Sequence, residues 1–233
     1  DHPMAHHRHR KPKGRPIDGW LIIDKPTAIG STDVVALCKR AFQAQKCGHG
    51  GTLDPLATGV LPIAFGAATK TVPYVMDGTK QYRFTLRLGE GRDSDDADGA
   101  VTGTSDVRPT EDQLRAALPA FIGDILQVPP IYSAIKVAGE RAYDLARAGD
   151  MRSLARDIAK ACGTLGHIAA LRRLRVGPFL EKDSVPLDRI AVSGDTPPPS
   201  PDLLLPVTTA LADIPALALT EAEAARLSFG QPI

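Results

Sequence analysis

The chain has 233 residues, 43% of them hydrophobic, and a net charge of +1, which suits one moderate globular domain with a small appendage. No apolar run approaches the roughly 20 residues needed to span a membrane and no signal-peptide pattern is present, so we expect a cytoplasmic protein. The three cysteines are widely spaced and outside any CxxC pattern, which favours free thiols over a zinc site or a disulfide framework.

Residues 1–16 form a basic arm that we expect to be disordered, because it is poor in apolar side chains. Residues 1–15 carry five basic side chains, one acidic side chain and four of the six histidines. The histidines leave a metal site open, but a flexible arm that contacts phosphates is favoured. The rest of the chain, with 23 basic and 26 acidic residues, would bind nucleic acid only through a local basic surface.

The next elements are a predicted strand and a predicted helix. GWLIIDKP, residues 19–26, is an apolar run that ends in a Lys-Pro turn. The polar residues 31–33 can cap a helix over residues 34–46. The apolar side chains at helical spacing, which should face the core, are Val34, Leu37, Cys38, Ala41 and Phe42.

GHGGTLDPLATG, residues 48–59, presents a single carboxylate, Asp54, between glycines and directly before Pro55. Pro55 fixes its own φ and pushes Asp54 towards an extended conformation. Rigid loops on a scaffold are where catalytic side chains tend to lie. An Asp-Pro pair between glycines is also an ordinary turn, so both interpretations remain open on these features alone.

The remaining elements follow without a regular βαβ rhythm, which favours an α+β fold with a mixed, mostly antiparallel sheet. VLPIAFG (60–66) is typical of a buried strand, and QYRFTLRLG (81–89) alternates like a half-buried one. Capping boxes predict helices after Thr110 and Thr220, and RSLARDIAKACG (152–163) is an amphipathic helix ending at a glycine. LRRLRVGPF (171–179) has a basic, strand-like character.

The acidic run GRDSDDADG, residues 91–99, invites a calcium-loop interpretation, which fails. Ser94 occupies the first ligand position of the D-x-D-x-D-G pattern and Ser105 the twelfth. The structural interpretation is a polar hairpin or loop, which would repel phosphate unless it points away. No GxGxxG or P-loop pattern indicates a nucleotide cofactor.

The segment GGTLDPLATGVLPIAFGAATK, residues 50–70, resembles the catalytic segment of the bacterial tRNA pseudouridine synthase B (TruB) family. The resemblance covers most of residues 18–195. The other segments that carry it are DKPTAIGSTDVV (24–35), KQYRFTLRLG (80–89), VPPIYSAIKVAGERAYDLARAG (128–149) and RSLARDIAKACGTLGHIAALRRLRVGPF (152–179).

The resemblance implies a pseudouridine synthase fold that isomerises the T-arm uridine, position 55 in tRNA numbering, to pseudouridine. It implies Asp54 as the catalytic residue, Arg152 as its partner, Tyr82 against the target base, Leu171 in the base pocket and His49 on the RNA. Without the resemblance, Tyr82 and Leu171 would be core residues, Arg152 a helix-start residue and His49 a turn residue. Candidate phosphate contacts are Lys70, Arg172, Arg173 and Arg175.

The reaction breaks a glycosidic bond, rotates the uracil and forms a carbon–carbon bond at C5, with no redox change or hydrolysis. We therefore expect no cofactor and no metal. Asp54 can attack the ribose C1′, attack the base or remove a sugar proton, and the sequence leaves these routes open. A tRNA T-arm stem-loop is the expected partner of a monomer that needs no protein partner and no membrane.

The sequence departs from the family between Asp150 and Met151, where relatives carry several more strands. Either the segment is deleted, or it is missing from this sequence while present in the protein. The second is favoured, because losing central strands would expose apolar edges. We expect a catalytic domain over 17–195, then, over 196–233, a proline-rich linker and the truncated start of a C-terminal RNA-binding (PUA-like) domain.

Three other functions remain as alternatives. The chain could be the catalytic subunit of a guide-RNA pseudouridylation particle, although its motifs are of the single-chain bacterial type. It could act as an RNA-binding chaperone that folds tRNA without chemistry. An aspartate-dependent glycosidase would need a second carboxylate at a recognisable site, which the sequence does not offer.

Overall fold

The computed structural model describes residues 14–125, 151–190, 197–215, 218–229 and 231. The strands within these ranges are β1 (Gly19–Lys25), β2 (Cys47–His49), β3 (Thr58–Phe65), β4 (Lys80–Leu88), β5 (Glu90–Arg92), β6 (Val101–Thr104), β7 (Gly166–Val176), β8 (Phe179–Leu180) and β9 (Val185–Pro186). The helices are α1 (Ser31–Ala41), α2 (Val72–Met76), α3 (Glu111–Ala117), α4 (Met151–Ala161) and α5 (Glu221–Ser228).

Seven strands form the central sheet, in the order β4-β7-β3-β1-β9, with β2 added to β3 and β8 to β7. The pairs β1/β3, β2/β3, β4/β7 and β7/β8 are antiparallel, whereas β3/β7 and β1/β9 are parallel. Strands β5 and β6 form a separate two-stranded sheet. The prediction of an α+β fold with a mixed, mostly antiparallel sheet is confirmed.

Both faces of the centre of this sheet are covered, because successive side chains of a strand point to opposite faces. Leu21 and Ile23 of β1 pack with Val34 of α1 and with Phe42, the C-cap residue of that helix, in one core cluster. Trp20 and Ile22 of β1 lie in the other, whose further members are Val60, Ala64, Ala68, Val75, Val176, Phe179 and Ala210. Burial on both faces explains why β1 and β3 are almost continuously apolar.

Helix α1 buries the apolar face that its spacing predicts, with Val34, Cys38, Ala41 and Phe42 buried and Leu37 partly so. The predicted cap is wrong. The helix begins at Ser31 itself, and the N-cap residue, Gly30, makes no side-chain cap hydrogen bond. Ser31 is instead buried and bonded to a loop distant in sequence, an arrangement that local pattern cannot reveal.

The alternation predicted for β4 is confirmed. Tyr82, Phe84, Leu86 and Leu88 are partly buried, whereas Gln81, Arg83, Thr85 and Arg87 are exposed. Both capping boxes form, at Thr110 before α3 and at Thr220 before α5. Helix α4 ends shortly before Gly163, whose φ is +73°.

Residues 197–215, which we call the late segment, contact the central sheet. Trp20 and Leu205 exchange backbone hydrogen bonds of 2.8 and 2.7 Å, and Ala210 is buried in the Trp20 cluster. In the described ranges, no helix is long and apolar enough to cross a membrane. The predicted disordered arm up to residue 13, the family-like segment 128–149 and Asp150 lie outside the described residues.

Candidate active site

Asp54 lies in the loop between β2 and β3, residues 50–57, which we call the Asp54 loop. Half of its side chain is exposed to solvent, while its neighbour Leu53 is buried. The loop therefore fixes its backbone in the protein and leaves the carboxylate accessible to a ligand.

Hydrogen bonds hold the Asp54 loop on both sides of the aspartate. The hydroxyl of Ser31 accepts from the Leu53 amide and donates to the Leu53 carbonyl, both at 2.8 Å. The Pro55 carbonyl accepts from the Ala28 amide at 2.8 Å and from Lys25 Nζ at 3.3 Å. Because these bonds tie the loop to β1 and to the start of α1, the position of Asp54 is set by the fold.

Lys25 is a buried cation that sequence reasoning missed. It is 0% exposed, and its Nζ also donates to the carbonyls of Pro26 and Ile29, at 2.9 and 2.8 Å. Burial lowers the pKa of Lys25 from its ordinary value, and the charge of Asp54 opposes that shift. Its only sequence signal is a lysine at the end of an apolar strand, which reads as a surface turn.

Arg152, in the first turn of α4, pairs with the carboxylate of Asp54, as the family resemblance implies. The same guanidinium lies 3.1 Å, Nε to Oδ2, from Asp96, whose side chain is 4% exposed. One arginine is thus held between an exposed carboxylate and a buried one. This arrangement fixes where the exposed carboxylate can lie.

Asp96 belongs to the acidic run 91–99, which we call the acidic loop and which faces the site. Ser94 and the amide of Asp98 donate to Asp96 at 2.6 and 3.0 Å, which orients the carboxylate towards Arg152. One helical turn later, Arg156 pairs with Asp95 at 2.7 Å. Two buried aspartates thereby dock the loop on the arginines at i and i+4 of α4.

Arg173 was predicted to contact phosphate, but the structure places it inside the protein. It is 1% exposed and donates to the carbonyls of Val60, Thr52 and Gly51 at 2.9, 3.2 and 2.9 Å. Burial lowers the pKa of its guanidinium, and interaction with Tyr82 opposes the shift. The guanidinium is hydrogen-bonded to the Asp54 loop and to β3, and it is not available to a phosphate.

Tyr82 and Leu171 lie on one face of the paired strands β4 and β7. Tyr82 is opposite Arg173, and Leu171 is opposite Phe84, and directly opposed residues share a face of the sheet. Leu171 is partly buried against the core. The interaction of Arg173 with both Tyr82 and the Asp54 loop joins this face to the aspartate.

His49 ends β2, immediately before the Asp54 loop, and is partly buried. Its Nδ1 accepts from the Gly51 amide at 3.4 Å. Burial, followed by the charge of Arg173, lowers the pKa of His49. The imidazole is therefore neutral at pH 7, and it would meet RNA through hydrogen bonding or packing.

The other candidate phosphate contacts differ in whether their charge is already paired within the protein. Lys70 is exposed at the end of a short 3₁₀ turn. Arg172 is paired with Asp24, at 2.9 and 3.0 Å, and with Glu181 at 2.6 Å, so its charge is already balanced. Arg175 donates to the Gly177 carbonyl at 2.7 Å. No group of three or more potential metal ligands occurs among the described residues.

Comparison with known proteins identifies the family. Residues 39–160 match the family described as "TruB family pseudouridylate synthase (N terminal domain)", and residues 152–212 match the "tRNA pseudouridylate synthase B C-terminal domain". The tRNA pseudouridine synthase B of Gluconacetobacter diazotrophicus is 65% identical, with 96% of this chain and 85% of that protein covered. The enzyme of the same name from Rhodospirillum rubrum is 52% identical, with 96% and 84% covered.

Solved structures give the same fold. An archaeal box H/ACA sRNP Nop10–Cbf5 complex contains a chain that is 25% identical, with a TM-score of 0.64 and coverage of 97% of this chain and 74% of that one. A Cbf5–Nop10–Gar1 complex contains one that is 26% identical, with a TM-score of 0.67 and coverage of 91% and 67%.

The family matches cover strands β2 to β9, the Asp54 loop and helix α4, whereas β1 and most of α1 precede the matched residues. The resemblance drawn from the Asp54 segment is confirmed. This chain belongs to the TruB family of pseudouridylate synthases.

Proposed function

We propose that this protein is a tRNA pseudouridine synthase that isomerises the uridine at position 55 of the T-arm. The observation that carries the proposal is the pairing of the half-exposed Asp54 with Arg152, which Asp96 holds from the buried side. The curated relatives, named tRNA pseudouridine synthase B, support tRNA as the substrate.

In this proposal Asp54 carries out the covalent or proton-transfer work on a uridine that has left its stack. Extruding a base costs a few kcal/mol, which RNA contacts around the site must supply. Arg152 balances the charge of Asp54 in the resting site, and its second contact, to Asp96, keeps the guanidinium in place as charge on Asp54 changes. Attack on the ribose, attack on the base and removal of a sugar proton all remain compatible with this geometry.

Tyr82 and Leu171 frame the target base in the proposal. They project from the same face of β4 and β7, with a flat aromatic ring on one strand and an aliphatic side chain on the other. Base stacking on an aromatic ring is worth about 1–3 kcal/mol. His49, neutral and beside the Asp54 loop, fits a contact with RNA at the mouth of the site.

The proposed phosphate contacts are Lys70, which is exposed, and Arg175, which is partly exposed and lies 3.9 Å from one carboxylate, that of Asp213. Arg172 has a lesser role because two carboxylates balance its charge. We propose that the chain acts on bare tRNA as a monomer, without a cofactor or a protein partner. A tRNA substrate places this activity in the cytoplasm.

We also propose that the natural protein carries a segment between Asp150 and Met151 that this sequence lacks. The alignment with the Gluconacetobacter enzyme runs over 260 positions but takes up 96%, or about 224, of the 233 residues here. More than 30 aligned positions of that relative therefore have no counterpart in this chain. The intact mass of the protein purified from its source tests this: agreement with 24.7 kDa would contradict it.

The function is tested by tritium release from a T-arm stem-loop labelled at uridine C5. The parent should release tritium, whereas Asp54→Asn should bind the RNA and release none. Asp112→Asn, an isosteric change at an exposed position of α3, is the matched control and should behave as the parent does. Turnover by Asp54→Asn would contradict the assignment of the catalytic residue.

A second candidate is the catalytic subunit of a guide-RNA particle, which the likeness to chains in Cbf5–Nop10 complexes favours. Turnover of bare tRNA by the isolated chain would exclude a requirement for such an assembly. Binding and refolding of tRNA by both the parent and Asp54→Asn, with release by neither, would instead support an RNA chaperone.

A further inference from the structure

Arg173 carries a charge that none of the proposed chemical steps uses. Its guanidinium is buried, and within the described residues no carboxylate pairs with it: its hydrogen bonds go to main-chain carbonyls. Burying an unpaired cation is costly unless its donors are satisfied. A guanidinium offers five donors in a fixed fork, so it can bond several carbonyls at once.

Those carbonyls belong to residues on both sides of a turn. Gly51 and Thr52 lie in the Asp54 loop, two to three residues before the aspartate, and Val60 lies in β3 after it. One planar guanidinium therefore fixes the distance between the two ends of the segment that presents Asp54.

Register places Arg173 in a row across four neighbouring strands. Tyr82 of β4 is opposite Arg173, Arg173 is opposite Gly59 of β3, and Gly59 is opposite Lys25 of β1. Gly59 has a φ of +100°, and a Cβ on it would lie 2.2 Å from the Arg173 carbonyl. Because Gly59 has no side chain, the backbones of β3 and β7 can approach each other closely at Arg173.

Arg173 lies directly opposite Tyr82 on the neighbouring strand and interacts with it electrostatically. One residue therefore binds the loop that carries the aspartate and adjoins the residue placed against the base. We propose that Arg173 is a positioning residue, which sets Asp54 and Tyr82 relative to each other without touching the substrate. This inference rests on the proposed function of the Asp54 site.

The test compares Arg173→Met, which keeps the bulk but loses every donor, with Arg173→Lys, which keeps the charge and loses the fork. Single-turnover tritium release and RNA dissociation constants are measured on the T-arm stem-loop, and folding is followed by thermal melting. Since a misplacement of about 1 Å can cost about 100-fold in rate, we expect about that loss for Arg173→Met and a smaller one for Arg173→Lys. The dissociation constants should stay within about threefold, because the substituted side chain does not reach the RNA.

Phe179→Leu is the control for lost stability. Phe179 is a fully buried residue of β8 that packs on Trp20 in the second core cluster, and it makes no part of the Asp54 loop. The Phe179→Leu substitution should lower the melting temperature and leave the rate constant of the folded protein unchanged. If Arg173 is a positioning residue, its substitution lowers the single-turnover rate constant while all of the protein still reacts. If a variant is partly unfolded, a smaller fraction of the protein reacts, at an unchanged rate constant.

Parent-like rate constants in both Arg173 variants would overturn the proposal. So would failure of both variants to fold, because Arg173 would then be required for the fold itself. A lost affinity for RNA with an unchanged rate constant would also overturn it and return Arg173 to the phosphate contacts. Absence of tritium release from the parent would instead refute the proposed function.

Discussion

Asp96 illustrates how much of a site can depend on a residue with no motif of its own. Its Oδ1 is occupied by Ser94 and by the Asp98 amide, and its Oδ2 faces Arg152. The carboxylate therefore has one arrangement in which all its partners are satisfied, and that arrangement fixes the arginine that contacts Asp54.

We predict that Asp96→Asn lowers the single-turnover rate constant about tenfold or more, since small displacements in a site are costly. An asparagine that keeps the Oδ1 bonds would present its amide N–H to the guanidinium, donor against donor. The measurement is tritium release from the T-arm stem-loop, with RNA binding determined in parallel.

Asp98→Asn is the control for Asp96→Asn, because it makes the same change at an exposed position of the same loop. It should retain the parental rate constant. Equal rate constants for Asp96→Asn and the parent would show that Arg152 needs no second carboxylate.

His49 carries a prediction about pH. Its pKa is lowered in the folded state, whereas the unfolded chain should protonate near its ordinary pKa of about 6.5. As the pH falls below about 6.5 the unfolded state therefore binds more protons, and His49 makes the folded state progressively less stable. We expect His49→Gln to lose less stability than the parent between pH 7.5 and 5.5.

Urea unfolding at the two pH values measures this effect. Carboxylates titrate in both proteins, so the difference between their pH dependences isolates His49. Identical pH dependences would show that the imidazole takes up its proton equally easily in the folded and unfolded chains.

At the scale of elements, helix α1 serves the site through its first residue. Ser31 is 4% exposed, and its hydroxyl satisfies both the amide and the carbonyl of Leu53. The helix thereby anchors the Asp54 loop, which has few hydrogen bonds within itself.

We predict that Ser31→Ala destabilises the protein by about 1–3 kcal/mol, because the buried Leu53 amide and carbonyl lose their partner. It should also slow turnover, since the residue next to Asp54 loses its anchor. Urea unfolding gives the free energy of unfolding, and single-turnover assays give the rate constant.

Thr32→Ala is the matched control, because Thr32 is the exposed neighbour of Ser31 in the same helical turn. Its free energy of unfolding should stay within about 0.5 kcal/mol of the parent's. Equal losses in the two variants would show that helix propensity, and not the contact with Leu53, accounts for the effect.

The same element shows which parts of the fold sequence patterns could predict. The periodicity of α1 and the alternation of β4 are local, and both were predicted correctly. The bonds by which Ser31, Lys25 and Arg173 hold the Asp54 loop join residues about 20 to 120 positions apart in sequence. The local pattern predicts a helix cap for Ser31, a turn for Lys25 and a charged surface for Arg173. All three are instead buried and anchor the Asp54 loop, because tertiary contacts override the local pattern.

The aspartate and its arginine were found from the family resemblance, since 98 residues separate them. The contribution of the acidic loop to the site was missed for a related reason. A run of acidic residues usually faces solvent, and only the arginines of α4 explain why Asp95 and Asp96 are buried.

At the scale of the whole molecule, the central sheet unites parts that are remote in the chain. The site draws on β1, the Asp54 loop, β4, the acidic loop, α4 and β7, and the sheet brings these together through pairings such as β3 with β7. The late segment contributes too: Leu205 pairs with Trp20, and Ala210 completes the core beneath it.

We predict that a chain ending at residue 196 is less stable and has a more solvent-exposed tryptophan. Removing the late segment leaves the Trp20 backbone without its Leu205 partners and uncovers apolar side chains of the second cluster, and exposed apolar area costs about 25 cal/mol per Å². Trp20 is the sole tryptophan of the chain and is 0% exposed. Its fluorescence emission should therefore shift to longer wavelength, with a lower melting temperature.

A chain ending at residue 215 is the matched control, because it keeps Leu205 and Ala210 and loses α5, which has no buried residue. Its emission and melting temperature should match those of the parent. Loss of stability in both shortened chains would assign the effect to α5, whereas loss in the shorter one alone would make residues 197–215 part of the catalytic core. In the latter case tritium release should fall in the shorter chain as well, because β1, which the late segment covers, supplies the Lys25 anchor of the Asp54 loop.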